Sequence, residues 1–571
     1  MSHPRRITAL VTQAALIAAL AFAPALAKSN GGRDNITPGE LKEWLTVLAS
    51  DEFEGRNTFS EGLGMAAMYI ADQLKAYGIK PGGPNGSYFQ RVAVLGVKSD
   101  NKSTVTVEVN GQSRTFKNKE GISFPAYVGA KRSFTGDQIE FLGYGLSLPD
   151  RSDYAGKNVK GKVVVYLGTQ PPAGVDARAA FRAMFGRGRN ATDQEGAVAA
   201  IGPEVNLRMA MGGQQGGGAG AGGAGGARPN APPEADFTTV QRLDTPQAPS
   251  VAAKDEFFEF LFSGSDVKYA DLKQKADAKE ALPSFSLKNV RITFNIDADY
   301  QVVRTQYTRN VVGIIEGTDP KLKDTYVAFG AHYDHVGYAE GEVVNGKRLG
   351  ARGRVTEGAV EDRIWNGADD DGSGTVSILA VAKAFAQGPK PKRSLLFVWH
   401  AGEERGLYGS RYFADYPTVP MEKLVAQINI DMIGRNNGDK EEESNTVYPV
   451  GSDRISTEFH NLTVEANNGL TTPLKLNFEM NDPADPEQVY YRSDHYSYAA
   501  KGVPIIFLTT GMHRDYHANT DSAEKINYEK MARIAQYAYE IGQRTANLDH
   551  APARDNRGPR VGRTVAGKLA M

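Results

Sequence analysis

The chain has 571 residues, of which 41% are hydrophobic, a formal net charge of −1 and no cysteine. Such a chain can bury a large core and form more than one domain, but its balanced charge gives no global field that would favour nucleic acid or an anionic membrane surface. The lack of cysteine excludes disulfides, thiolate metal sites and a cysteine nucleophile.

The first 27 residues have the pattern of a secretory signal peptide. Arg5 and Arg6 precede the apolar run Ala14–Ala23, and Ala25-Leu26-Ala27 supplies the small residues of a cleavage site. An uncleaved anchor is the alternative, but the run is too short to span a bilayer comfortably. We therefore expect a periplasmic or secreted protein with no stable membrane insertion after cleavage.

Residues 28–121 are predicted to begin the main domain with two helices, followed by strands. The first helix starts at the capping box Thr37-Pro38-Gly39-Glu40. The second is expected from about Gly64 to Tyr77, with one apolar face made of Met65, Met68, Tyr69, Ala71 and Leu74. Alternation of valine with polar residues over 104–109 predicts a strand.

Residues 122–290 are assigned to an inserted, strand-rich domain that contains no histidine. Within it, 203–236 is expected to be a flexible surface loop. Gly212–Gly226 consists only of Gly, Ala and Gln, and such a segment buries too little apolar surface to offset its ordering entropy. A phosphate-binding role is disfavoured because no strand precedes the glycines and no helix follows them.

Residues 291–548 return to the main domain with an α/β pattern. Apolar, strand-like runs alternate with helical patterns such as Gly374–Ala386 and Tyr528–Gly542. The runs are Val311–Ile315, Tyr326–Gly330, Ser394–Trp399, Val425–Ile430 and Val503–Leu508. We predict an α/β fold with a mixed, mostly parallel central sheet flanked by helices. Residues 549–571 have no apolar period and are expected to be a disordered tail.

Eight of the nine histidines lie after residue 331, in a part of the chain where histidine and carboxylates gather into short motifs. The motifs are A-H-Y-D-H at 331–335, A-D-D-D-G-S-G at 368–374, H-A-G-E-E-R-G at 400–406, N-I-D-M-I-G at 429–434 and D-Y-H-A-N-T-D at 515–521. Each alone could be a helix cap, a turn or a solvated surface. Four of them follow predicted strands, where open α/β sheets bind ligands, so together they predict a site for two hydrolytic metal ions.

In this order, the motifs resemble those of the co-catalytic two-zinc aminopeptidase family, of the bacterial leucyl aminopeptidase and glutamate carboxypeptidase type. The segment L-A-S-D-E-F-E-G-R at 48–56 is a further feature similar to that family. The resemblance implies a metallo-aminopeptidase that acts on peptides and carries two Zn²⁺, which Co²⁺ or Mn²⁺ could replace.

The resemblance also implies a role for each residue of the site. The implied metal ligands are His332, Asp370, Glu404, Asp431 and His517. Asp370 matches the bridging carboxylate, with Glu404 and His517 completing one site and His332 and Asp431 the other. Three further roles are implied: Glu403 as general base, Asp334 as the carboxylate that orients the His332 ring, and Tyr490 as a hydrogen-bond donor to the tetrahedral intermediate.

Several residues near these motifs receive other interpretations. His335, His400, His460 and His550 are interpreted as structural histidines. For Asp494 and His495, support of the site and contact with substrate both remain open.

Residues 122–290 resemble the protease-associated domain that is found inserted in this family. The resemblance rests on F-L-G-Y-G-L at 141–146, D-Y-A-G-K-N-V-K-G-K-V-V-V-Y-L at 153–167, R-N-A-T-D-Q-E-G-A-V-A-A-I-G-P at 189–203 and A-P-S-V-A-A-K at 248–254. We expect this domain to act on substrate access and not on the chemical step.

Other functions on the same fold remain as alternatives. A carboxypeptidase would need cations for the terminal carboxylate, such as Arg492 or Arg514. A receptor-like binding protein would have lost a ligand or the base, yet all these positions are present here. An aminoacyl cyclase is disfavoured by the inserted domain. The sequence leaves the side-chain preference and the oligomeric state open.

Overall fold

The computed structural model describes residues 32–148, 151–175, 177–204, 234–483, 485 and 487–562. The predicted signal peptide and residues 205–233 of the predicted glycine-rich loop lie outside these ranges. No helix in the described ranges is long and apolar enough to cross a bilayer.

The helices are α1 (Pro38–Leu48), α2 (Glu61–Ala76), α3 (Ala177–Arg189), α4 (Asp255–Leu261), α5 (Tyr269–Asp277), α6 (Gly374–Gln387), α7 (Tyr408–Asp415), α8 (Ser452–Ile455), α9 (Thr457–Asn468), α10 (His495–Ala499) and α11 (Tyr528–Asn547). The strands are β1 (Lys80–Pro81), β2 (Phe89–Asn101), β3 (Thr104–Val109), β4 (Gln112–Asn118), β5 (Gly121–Ser123), β6 (Arg132–Gly136), β7 (Ile139–Leu142), β8 (Ser147–Leu148), β9 (Arg151–Ser152), β10 (Val163–Val165), β11 (Ala199–Pro203), β12 (Phe237–Thr239), β13 (Ser250–Ala253), β14 (Ser284–Leu287), β15 (Val290–Ile296), β16 (Ala298–Ile315), β17 (Tyr326–His332), β18 (Gly337–Tyr338), β19 (Val343–Val344), β20 (Lys347–Arg348), β21 (Ile364–Trp365), β22 (Ser394–His400), β23 (Leu424–Ile430), β24 (Thr446–Val450), β25 (Lys475–Leu476) and β26 (Ile505–Thr509).

A mixed sheet forms the centre of the main domain, in the order β12-β2-β16-β22-β17-β23-β26-β24-β25. The four middle strands β22, β17, β23 and β26 are parallel, whereas β16 and β24 flank them in antiparallel orientation. The predicted α/β fold with a mixed central sheet is therefore confirmed, and its parallel part is where the functional motifs emerge.

Helices cover both faces of this sheet. Successive side chains of a strand point to opposite faces, so neighbouring residues of one strand pack in two different cores. In β17, Phe329 packs in the same core as helices α1, α2, α6, α9 and α11. Its neighbour Ala328 packs in a second core with Phe413 of α7 and Tyr498 of α10. The continuous apolar runs of the sequence follow from this burial on two faces.

A second sheet lies between the two parts of the main domain in the chain, in the order β14-β7-β10-β11-β13-β5-β4-β3-β15-β6. Helices α4 and α5 contribute Phe257, Phe258 and Leu272 to its core. The sheet spans 104–296, a wider range than the predicted 122–290, because β3, β4 and β15 pair within it. We call residues 104–296 the inserted unit.

The buried face of α2 differs from the predicted one. Buried apolar residues recur at helical spacing along it: Leu63, Ala66, Ala67, Ile70, Ala71 and Leu74. Met65 and Met68, predicted on the apolar face, are 44% and 47% exposed. Ala71 and Leu74 are buried as predicted, and the helix begins earlier than expected, at Glu61 after the Ser60 cap.

The predicted disorder of the tail is wrong for residues 549–562, which pack against the main domain. The backbone N–H groups of Arg560 and Val561 donate to Asp453 Oδ2 over 2.6 and 2.9 Å, and that of Asn556 donates to Ile455 O over 2.9 Å. Because these contacts use backbone groups, they require no regular spacing of apolar side chains, and the sequence therefore gives no sign of them.

Candidate metal centre

The predicted functional motifs meet at the carboxyl ends of the parallel strands. His332 is the last residue of β17, and Asp431 follows β23 directly. A helical turn after β22, Glu403–Arg405, carries Glu403 and Glu404, and the loop after β26 carries His517. Parallel strands end on one edge of a sheet, so their loops share one crevice.

The first group of possible metal donors consists of His332, Asp370 and Asp431. The Nε2 atom of His332 lies 3.3 Å from Asp370 Oδ1 and 3.6 Å from Asp431 Oδ2. All three residues are buried. One imidazole and two carboxylates at such distances can hold a divalent cation.

The second group lies on the other oxygen of Asp370. His517 Nε2 is 3.1 Å from Asp370 Oδ2 and 3.0 Å from Glu404 Oε2. Asp370 therefore presents Oδ1 to the first group and Oδ2 to the second. This is the position that a bridging carboxylate requires.

His335 belongs to this second group, although the sequence was interpreted otherwise. Its Nδ1 atom lies 3.0 Å from Glu404 Oε1 and 3.8 Å from Asp370 Oδ2, and His335, Asp370 and Glu404 can together surround a metal ion. In the sequence, the feature that could have indicated His335 as a metal donor is its position as the second histidine of A-H-Y-D-H.

The aspartates on either side of Asp370 brace the surrounding backbone. Asp371 Oδ1 accepts hydrogen bonds from Gly374 N (2.8 Å) and Met432 N (3.2 Å). Asp369 Oδ1 accepts from Gly434 N over 2.6 Å, and its Oδ2 lies 3.2 Å from His513 Nε2. Neither residue belongs to the two donor groups.

Two residues without a predicted role hold the loop of Asp370. Asp521 accepts hydrogen bonds from the backbone N–H groups of Asp369 and Asp370. The fully buried Arg56 donates to four carbonyls, those of Leu48, Tyr333, Asn366 and Gly367, over 2.6–3.0 Å. Both stand at the ends of motifs noted in the sequence, 515–521 and 48–56.

Asp334 contacts the site differently from the expectation. The His332 Nδ1 atom lies 3.1 Å from the main-chain oxygen of Asp334 but 3.7 Å from its carboxylate. The carboxylate instead accepts hydrogen bonds from Thr58 Oγ1 and from the N–H groups of Gly402 and Glu403. Burial raises the pKa of Asp334 to about 6.

The charges of the centre strongly favour a bound cation. Burial alone lowers the pKa of His517, but the Glu404 and Asp370 carboxylates outweigh it and raise the pKa to about 11. Burial raises the pKa of Asp370, and His332 and His517 bring it well below its usual value. Without a metal ion, imidazolium groups therefore compensate the buried carboxylates, a role that a divalent cation can take over.

Unpaired polar atoms also fit a metal ion. Within the described ranges, no hydrogen-bond partner is present for either ring nitrogen of His335, for Asp370 Oδ2 or for Glu404 Oε1. Buried polar atoms nearly always have partners, so such a cluster indicates a missing ion or ligand. The donors are imidazoles and carboxylates, which suit zinc.

A cavity of about 250 Å³ opens onto the first group and onto His517. Glu403 lines it, and burial raises the pKa of this carboxyl well above its ordinary value. The apolar residues of the wall are Met432, Met480, Val489, Phe507 and Met512, and the acidic ones away from the donor groups are Glu479, Asp482, Asp485 and Glu487.

Tyr516 and not Tyr490 is the tyrosine that lines this cavity. The Tyr490 ring is buried 3.7 Å beneath the guanidinium carbon of Arg454, so its predicted contact with substrate has no support from the geometry. Tyr516 stacks on the His517 ring with centroids 4.1 Å apart. Arg492 also lines the cavity and donates to the Tyr516 hydroxyl over 3.3 Å.

Asp494, His495 and Arg514 lie outside the cavity lining. Asp494 Oδ2 is 3.4 Å from His400 Nδ1, and His495 Nε2 is 2.7 Å from the Tyr490 carbonyl, so both support the packing behind the site. Arg514 is largely exposed and pairs with Asp439 over 3.0 Å.

Comparison with known proteins gives a match to the model of "Peptidase family M28" over residues 310–541. A probable leucine aminopeptidase of Trichophyton verrucosum is 25% identical over 339 residues, which cover 52% of this chain and 82% of that protein. Leupeptin-inactivating enzyme 1 of Streptomyces exfoliatus is 31% identical over 170 residues, 29% of this chain and 34% of that protein.

The aminopeptidase from Aneurinibacillus sp. strain AM-1 is similar in structure, with a TM-score of 0.41 and 18% identity over 92% of this chain and 99% of that one. The family match includes all the residues of both donor groups and the cavity. The segment of this chain that carries both donor groups, residues 310–541, thus matches the model of peptidase family M28.

Proposed function

We propose that this protein is a zinc-dependent exopeptidase that uses two metal ions and removes residues from the amino end of peptides. The observation that carries the proposal is the position of Asp370 between two donor groups, one oxygen facing each. The names of the relatives, which include several leucine aminopeptidases, support the same reaction.

His332, Asp431 and Asp370 Oδ1 would hold one ion, and Glu404, His517 and Asp370 Oδ2 the other. Zinc bound there supplies Lewis acidity toward the scissile carbonyl and strengthens water as a nucleophile. Glu403 sits on the cavity wall beside these ligands. Its carboxylate would accept a proton from the attacking water and return it to the departing amine nitrogen.

Tyr516 and Arg492 would stabilise the oxygen on which negative charge develops. The Tyr516 hydroxyl accepts a hydrogen bond from Arg492, which leaves its own proton available to a substrate oxygen. Preorganised donors of this kind favour the transition state over the ground state.

The charge of the cavity supports cleavage at the amino end. Arg492 is the one arginine or lysine among the described residues that line it, and it already pairs with Glu487 over 3.1 Å. Acidic side chains outnumber this arginine on the wall, and they suit a free ammonium better than a terminal carboxylate. The apolar part of the wall, with Met480, Phe507 and Met512, suits a leucine-like side chain.

A panel of blocked substrates tests this proposal. We expect release of leucine from leucine p-nitroanilide and from carboxyl-amidated peptides, and no cleavage of N-acetylated peptides. The reverse pattern would favour a carboxypeptidase that uses Arg492. Lack of turnover in protein that holds two ions would favour a receptor-like binding function. The Glu403→Gln variant provides the background rate in each assay.

We propose that the inserted unit influences the access of longer peptides. Its segment 190–195 lies near Tyr491 and Tyr496, which are close in the chain to the cavity residues Val489 and Arg492. Burial and the Asp193 carboxylate raise the pKa of Tyr496, and burial and nearby charges including Glu195 raise that of Tyr491 to about 12. Replacement of Asp193 and Glu195 by alanine should leave hydrolysis of leucine p-nitroanilide within about 2-fold of wild type, an expected effect of surface changes, and alter KM for octapeptides.

Export is also proposed, on the pattern of the first 27 residues. Amino-terminal sequencing of the protein recovered from the producing cells and their medium tests this, with Lys28 as the expected first residue.

A further inference from the structure

His335 lies beside the second donor group and is fully buried. Its backbone N–H donates to the carbonyl of Arg56 over 3.1 Å, which fixes the residue in the loop after β17. From there the ring faces His517, with ring centroids 5.7 Å apart and nearly perpendicular planes. The two imidazoles thus approach the same carboxylates from different directions.

The ring of His335 has no hydrogen-bond partner within the described ranges, on either nitrogen. Other buried histidines do have one: His400 contacts the Tyr498 hydroxyl at 2.9 Å, His460 the Ser452 hydroxyl at 2.8 Å, and His495 the Tyr490 carbonyl at 2.7 Å. An imidazole that serves only packing would be expected to resemble these three.

The Nδ1 atom of His335 lies close to Glu404 Oε1, at 3.0 Å. Neither atom is assigned a hydrogen-bond partner within the described ranges. Two donor atoms bound to one zinc ion at its usual bond lengths lie roughly 3.3 Å apart. The separations around this group, 3.0, 3.0, 3.1 and 3.8 Å, fall on both sides of that value.

We infer that His335 Nδ1 is a fourth protein ligand of the second metal ion, together with His517, Glu404 and Asp370. This inference rests on the proposed two-ion centre. It gives the two metal sites different numbers of protein ligands. The first ion has one imidazole and two carboxylates, and the second has two imidazoles and two carboxylates. Additional imidazole favours zinc, cobalt or nickel over manganese and magnesium, so the second site should be the tighter and more selective of the two.

X-ray absorption spectroscopy of the full-length protein with two bound zinc ions tests the inference without a mutation. The multiple-scattering signal of imidazole should correspond to three histidines per two zinc ions. A value of two would overturn the inference, because His332 and His517 alone account for it. If the protein binds a single zinc ion, two imidazoles on that ion support the inference and one overturns it.

Variants provide the second measurement. In His335→Ala we expect the tighter of the two zinc dissociation constants, measured by competition with a chromogenic chelator, to rise at least about 10-fold, and the imidazole count to fall by one. The control is His460→Asn, a buried histidine with a hydroxyl partner, which should leave both constants unchanged. Circular dichroism of each metal-free variant checks that it is folded.

The outcomes separate this inference from the proposed function. Wild-type protein that binds two zinc ions, hydrolyses leucine p-nitroanilide and shows unchanged binding and spectrum in His335→Ala would overturn only the role of His335. Wild-type protein that binds no ion and yet hydrolyses the substrate would overturn both.

Discussion

The Asp334 carboxylate holds the backbone of Glu403. Its Oδ1 atom accepts hydrogen bonds from the N–H groups of Gly402 and Glu403 over 2.7 and 3.1 Å. The main-chain oxygen of the same residue faces the His332 ring. One residue therefore contacts the proposed metal ligand His332 with its backbone and holds the proposed base Glu403 with its side chain.

This division predicts different effects for two substitutions of Asp334. In Asp334→Ala the loop of Glu403 loses its acceptor, and we expect kcat to fall at least about 10-fold while the protein still binds two zinc ions. Asp334→Asn keeps an oxygen acceptor and should retain most of the activity. Metal analysis and kcat for both variants check this, and loss of zinc from Asp334→Ala would show that the side chain orients His332.

The neighbouring glutamates should separate turnover from metal binding. Glu403→Gln keeps the shape of the side chain but cannot take a proton, so kcat should fall about 10²–10⁴-fold with both ions retained. Glu404→Gln should lose zinc from one site, because its two oxygens face His517 and His335. Turnover near the wild-type level in Glu403→Gln would contradict the assignment of the base.

Metal binding should release protons and strengthen as the pH rises. In the metal-free protein the carboxylates raise the pKa of His517 to about 11 and hold that of His332 well above its usual value. Both rings are therefore protonated at pH 7 and must lose a proton to bind zinc. We expect each ion to bind about tenfold more tightly per pH unit between pH 6 and 8.

Zinc titrations at three pH values and proton release in weakly buffered solution measure this linkage. Two protons released per two ions are expected. An affinity that does not change with pH would mean that the imidazoles are already neutral in the metal-free protein.

Arg56 should matter for stability far more than its distance from the cavity suggests. Its guanidinium donates to four carbonyls, and Arg56→Ala would remove a partner from each of them, although the Gly367 carbonyl would keep the Gly372 N–H. We expect the free energy of unfolding to fall by about 3–5 kcal/mol, measured by urea denaturation. Arg114→Ala, which removes an exposed pair with Glu256, should change it by less than about 1 kcal/mol.

A pair of tyrosine variants distinguishes the cavity wall from the buried layer behind it. Tyr516→Phe removes the hydroxyl beside Arg492 and should lower kcat about 10²-fold without loss of zinc. Tyr490→Phe is the matched control, because that ring is buried against Arg454, and its kcat should stay near the wild-type value. The opposite ranking would restore Tyr490 as the residue that contacts the intermediate.

The sequence predicted the parallel core well because its strands are apolar on both faces. The predicted run Tyr326–Gly330 corresponds to β17, which extends to His332, and Ser394–Trp399 corresponds to β22, which extends to His400. Prediction was poorer for β16. Only Val311–Ile315 was expected, although the strand begins at Ala298, because most residues of its first half are exposed and interrupt the apolar pattern.

The site was predicted through its motifs, but the direction of individual side chains was not. A sequence motif does not reveal that Asp334 uses its carbonyl toward His332, or that the ring of His335 turns toward Glu404. Both depend on the loop after β17, which Arg56 holds from a distant part of the chain. The same limit applies to Tyr490, because its neighbour Tyr491 is an equally plausible choice in the sequence.

The inserted unit joins the main domain through strands. The chain leaves the central sheet along β2 and returns along β16, and these two pair continuously from Phe89–Val311 to Asn101–Ala298 apart from one irregularity near Val302. A two-stranded, hydrogen-bonded ribbon of this length resists a hinge motion of the inserted unit relative to the central sheet and permits mainly bending and twisting of the ribbon itself. We therefore expect the inserted unit to keep a nearly constant orientation relative to the central sheet.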